Sequence, residues 1–75
     1  MNKVRRKQLQ EVYNRIRTVR EDLSDILSEE QQAFDNMPEN LQETERGQES
    51  DEIIDCLDDA VGAMDDAIEM IFEVL

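Results

Sequence analysis

The stretch "DNMPENLQETERGQES", Asp35 to Ser50, separates two halves of opposite charge that share one apolar rhythm. Pro38 disfavours helical backbone at Met37, so a helix arriving from the N-terminal side must end near Asp35. Asn36 to Glu39 reads as a short turn, and Thr44 or Ser50 is suited to cap the helix that follows. A start at Thr44 puts Gly47 in the first turn, at a cost of about 1 kcal/mol relative to alanine. A link this short joins antiparallel neighbours. The expected fold is all-α: one helical-hairpin domain over residues 1–75, with helix 2–35, turn 36–44 and helix 45–75.

Both flanks carry the spacing of a packed helix. Leu9, Val12, Ile16, Val19, Leu23 and Ile26 recur at alternating spacings of three and four, with Tyr13, Leu27 and Phe34 widening one flank. Beyond the link, Ile54, Leu57, Val61, Met64, Ile68, Ile71 and Leu75 repeat the pattern. There a second stripe, Ile53, Ala60, Ala67 and Val74, runs beside the seam, while Met70 and Phe72 spread the apolar surface near the C-terminus. On the first helix, polar Gln8, Arg15, Asp22 and Glu29 stand where that extra stripe would need a match. One partner helix therefore leaves apolar surface over. A homodimer forming a four-helix bundle is the simplest cover, with Ile53, Ala60, Ala67, Met70, Phe72 and Val74 as its interface and small alanines allowing close approach.

Charge supports the hairpin. Residues 1–20 hold seven of the eight cations against Glu11 alone, and residues 21–75 hold nineteen acids against Arg46. Cations at a helix N-terminus and acids at a C-terminus both oppose the macrodipole, so each helix alone is wrongly polarised. Folding about residues 39–40 relieves both ends and predicts Arg20 beside Asp58, Arg15 beside Asp65, and Arg5 to Lys7 beside Glu73. The acids left over gather toward the turn, among them Glu45, Glu49, Asp51 and Glu52.

Composition narrows the chemistry. A 75-residue chain is close to the lower size limit for a self-sufficient core, and small scaffolds need reinforcement. A single cysteine, Cys56, allows no internal disulfide and reads as a bystander at the core margin; there is no histidine for a usual zinc site or a Ser/His or Cys/His pair. Reinforcement by a second subunit remains. The free thiol and the lack of a long apolar run suit a soluble, cytoplasmic protein that engages no membrane.

The acidic doublets Asp58-Asp59 and Asp65-Asp66 raise the question of a metal. With Ile54, Val61 and Ile68 on the seam, Asp59 and Asp66 point away and Asp58 and Asp65 fall on its margin, whereas a bundle di-metal site needs carboxylates projecting inward. "EDLSD" (Glu21, Asp22, Asp25) and "EIID" (Glu52 to Asp55) distantly resemble the paired acidic motifs of all-α, magnesium-dependent nucleotide pyrophosphatases, but Asp25, Glu52 and Asp55 lie off the seam. No metal, cofactor or catalytic residue is expected. "KVRRK" (Lys3 to Lys7) is explained by pairing within the hairpin, so direct nucleic-acid binding is not expected either.

"AFDNMPENLQETERGQ" (Ala33 to Gln48), with a basic helix before it and an acidic one after, resembles short helical-hairpin proteins of bacteriophages and bacterial mobile elements. The resemblance implies that Phe34, Pro38, Leu41, Arg46 and Gly47 form a defined turn, and it carries no established activity with it. Proteins of that origin and size often act as accessory factors or inhibitors of host machinery, including anti-defence proteins. The functional expectation is a non-enzymatic, protein-binding hairpin that presents Glu45, Glu49, Asp51 and Glu52 to a basic host protein, such as one that binds nucleic acid, in the manner of a DNA mimic. The alternatives are a purely self-assembling bundle and, remotely, the nucleotide pyrophosphatase.

Overall fold

In a computed structural model describing residues 1–75, three helices follow one another: α1 (Lys3–Asp35), α2 (Glu39–Gln42) and α3 (Glu45–Val74). The long helices lie antiparallel as a hairpin, 58 × 14 × 13 Å, with no strand. The radius of gyration of 17.2 Å is well above the roughly 11 Å of a compact domain of this length. No helix is long and apolar enough to cross a membrane.

Helix ends follow local chemistry. Asn2 caps α1, its side-chain oxygen accepting from the Arg5 amide at 2.7 Å. Thr44 is the residue before α3, but its hydroxyl makes no cap; it donates back to the Leu41 carbonyl. Ser50, the other candidate cap, is instead buried inside α3 and donates to Glu30 at 2.7 Å, tying the two long helices together near the turn.

The link is more ordered than a plain turn. Within residues 36–44 the chain makes the single helical turn α2, started by Pro38, whose carbonyl accepts from the Leu41 and Gln42 amides. The Gln42 side chain then donates to the carbonyls of Phe34 at 3.1 Å and Met37 at 3.0 Å, tying α2 back onto the end of α1. Gly47 is buried against the Gln42 backbone, so closely that any added Cβ would overlap the Gln42 carbonyl. Its φ is not positive; close approach, rather than backbone conformation, is what requires glycine here.

This link moves the fold of the hairpin and corrects the expected register. Arg20 pairs with Asp65, not Asp58, and Tyr13 stacks on Phe72 with ring centroids 6.1 Å apart. The midpoint of both pairs lies between residues 42 and 43 rather than at 39–40, although α1 ends at Asp35 and α3 starts at Glu45 as expected. Arg15 has no ion-pair partner. At the open end, Arg6 donates to the Leu75 carbonyl at 2.7 Å, so the cationic start does lie beside the end of α3.

The seam on α1 also differs from the expected one. Tyr13, Leu27 and Phe34 are half-buried together with Leu9, Ile16 and Leu23, whereas Val12, Val19 and Ile26 are 40%, 52% and 54% exposed. Rows 12/19/26 and 13/20/27/34 flank the Leu9–Ile16–Leu23 row on opposite sides, so periodicity alone allows either. Packing the second row buries the larger side chains Tyr13, Leu27 and Phe34 and carries Arg20 to Asp65 at the seam's edge. The core itself is thin. Ile54 and Val61, at 9% and 8% exposure, are its only buried hydrophobic residues.

Candidate functional site

Glu45, Glu49, Asp51 and Glu52 are all exposed on the first turns of α3. Glu45, Glu49 and Glu52 follow one helical face and, with Gln48, line an open depression of about 280 Å³ that has no apolar lining. Asp51 is not part of it; it projects from the edge of α3 that also carries Asp58 and Asp65. Glu45 sits in the first turn, where the N-terminal end of the helix dipole favours a negative charge. None of the four has a cation partner, for the molecule's one ion pair is Arg20–Asp65. That pair has its expected electrostatic signature: the hydrogen bond from Arg20 holds the Asp65 carboxyl below the usual carboxylate range, and the same bond raises the guanidinium above its ordinary value. Arg46, the lone cation after residue 20, borders a neighbouring depression with Glu30 and Glu49 without bonding to either.

The residues named for self-association divide. Ile53, Met70 and Val74 are exposed, at 41%, 65% and 55%, and Ala60 and Ala67 beside them are half-buried. Phe72, also exposed, lies about 160° around α3 from Val74 and stacks on Tyr13, which in turn lies under the Arg17 guanidinium at 5.5 Å. Phe72 therefore belongs to the opposite edge of the hairpin. Periodicity missed a further feature: Cys56 is exposed rather than marginal to the core, and with Ala63 it fills the gaps in the outer stripe of α3. The sequence Ile53, Cys56, Ala60, Ala63, Ala67, Met70 is a second complete three-four ladder on that helix.

The two edges of the hairpin differ accordingly. On one, Ser28, Gln31 and Gln32 of α1 face Asp55 and Asp58 of α3 across a groove of about 590 Å³. On the other, Ala33 of α1 and Ile53 of α3 meet in one depression beside Met37. Ala33 continues the row Val12, Val19, Ile26 by heptads, and Ile53 begins the outer stripe of α3. The exposed apolar rows of both helices therefore lie on the same face. This corrects the expectation that α1 offers only polar residues there: Gln8, Arg15, Asp22 and Glu29 lie one step further out and border the face.

No three acidic or cysteine side chains converge in a way that would hold a metal ion. Asp55 opens into the groove with Asp58, while Glu52 lies in the depression on the other side of α3, so "EIID" does not present a converging carboxylate pair. No protein-family model matches the chain, and no curated protein or solved structure matches it at a significant level.

Proposed function

We propose that the chain is a non-enzymatic, protein-binding helical hairpin that pairs into a four-helix bundle and presents an acidic surface to a basic partner protein. The observation that carries this reading is the uncompensated carboxylate face at the start of α3: Glu45, Glu49 and Glu52 line one depression without a cation, on a molecule with a net charge of −12. Such a surface attracts a basic groove over a distance set by ionic strength and repels nucleic acid. In its most specific form the partner is a nucleic-acid-binding host protein, and the chain is a phage or mobile-element inhibitor that occupies its phosphate-binding groove. The test is capture of basic proteins from host lysate at low and at high salt, repeated with Glu45, Glu49, Asp51 and Glu52 all neutralised to Gln or Asn. Binding should fall steeply with salt and disappear in the variant. Salt-insensitive binding, or a fully active variant, overturns it.

Self-assembly alone is the second reading, favoured by the exposed apolar rows Val12–Val19–Ile26 and Ile53–Met70–Val74. Under it the bundle forms, and neutralising the four acids changes no interaction with other proteins.

A further inference from the structure

We infer that the apolar face shared by α1 and α3 is covered by a second copy of the chain, lying across it with the two turns at opposite ends. This rests on the pairing proposed above and specifies its surface and direction.

Area is the first reason. The chain exposes 5903 Å², whereas a compact monomer of 8.8 kDa exposes about 4,800 Å². The excess of about 1,100 Å² per chain is in the range that one partner loses in an obligate homodimer interface. The face is apolar along most of the rod, from Val12 to Ala33 on α1 and from Ile53 to Val74 on α3.

Charge chooses the direction. With the turns at the same end, the two acidic starts of α3 would be brought together. With the turns at opposite ends they are separated by most of the 58 Å length. In that arrangement α1 crosses α1 of the second copy antiparallel, so each cationic residue 1–20 segment meets an acidic 21–35 segment. With the twofold axis near Val19, Val12 meets Ile26 of the second copy and Arg15 meets Asp22 of the second copy. Arg15 has no partner within its own chain.

Shape agrees on the other helix. Arg20 lies level with Asp65, so the same axis passes α3 between Ala63 and Ala67. Ala63 then meets Ala67 of the second copy, and Ala60 meets Met70 of the second copy. The small side chains near the axis let α3 approach its copy to about 8 Å, with the bulkier Met70 and Val74 filling the ends.

The test is the mass in solution and a charge-reversal cycle on the whole chain. Sedimentation equilibrium should give about twice 8.8 kDa for the native chain. Val19→Glu should halve that mass, while Ser28→Glu, on the opposite edge, should leave it unchanged. Arg15→Asp and Asp22→Arg should each weaken self-association several-fold to about tenfold, since each breaks two symmetry-related pairs, and the double variant should recover most of the loss. A native monomer at every concentration overturns the pairing itself. A Val19→Glu dimer overturns this face, and a cycle with no recovery overturns the opposite-end arrangement, even if Val19→Glu fails to fold. None of these outcomes depends on the acidic surface binding another protein.

Discussion

Arg20 on α1 holds Asp65 on α3 by two parallel hydrogen bonds, Nε to Oδ1 at 2.7 Å and Nη2 to Oδ2 at 3.2 Å. The fork geometry makes this pair a register mark, since a bidentate bond tolerates little sliding of one helix past the other. Asp58, one heptad nearer the turn, has an equivalent helical position and no such partner.

Asp65→Asn should therefore lower the thermal midpoint slightly, and Asp58→Asn should leave it unchanged or raise it by relieving acidic repulsion. Exchanging the charges, with Arg20→Asp and Asp65→Arg together, should recover part of the loss. Circular dichroism melts compare the four chains; equal effects of the two Asn variants would refute the register.

The same pair sets a pH dependence. Asp65 titrates below the usual carboxylate range in the folded chain, so its contribution is present above the unfolded carboxylate pKa of about 4 and disappears as pH falls through the lower folded value. The melting difference between the native chain and Asp65→Asn should be constant from pH 7 to about 5 and vanish on further acidification. A difference that grows in acid would contradict the assignment.

The two glycines should respond to alanine with opposite signs. Gly62 lies in mid-helix with nothing near its absent Cβ, so Gly62→Ala should stabilise by about 0.5–1 kcal/mol through helix propensity. Gly47→Ala should destabilise by about 2 kcal/mol or more, because α2 must move off α3 to admit the methyl group. Urea titration reads both. A neutral Gly47→Ala would mean that the turn does not pack as described.

Ile54→Ala removes part of a core with only two buried hydrophobic residues. The expected cost is about 2–4 kcal/mol, a large share of the roughly 4–11 kcal/mol available to a chain of this length. Val12→Ala, on the exposed row, should cost less than about 1 kcal/mol in a monomer and more where a second copy covers it. The concentration dependence of that difference separates the two states.

Helix, link and the antiparallel sense were legible because each depends on local properties: apolar spacing, Pro38 as a breaker, and two helices polarised against their own dipoles. The surplus stripe on α3 was legible for the same reason, and so was the acidity of its first turns. The partner stripe on α1 was not, since Val12, Val19 and Ile26 fit the seam as well by periodicity as Tyr13, Leu27 and Phe34 do. Phe72 was likewise grouped with residues that the hairpin puts on its other edge.

What the amino-acid order by itself determined is therefore the pair of amphipathic helices and the segment, residues 36–44, in which the chain reverses. The tertiary structure decided which flank of α1 is buried and by how much α3 is displaced along it. A seven-residue repeat presents nearly the same surface after a slip of seven, as Asp58 and Asp65 illustrate, so helical periodicity cannot choose between registers. The choice comes from contacts that exist only once the chain has turned: Gly47 against the Gln42 backbone, and the Gln42 amide on the Phe34 and Met37 carbonyls.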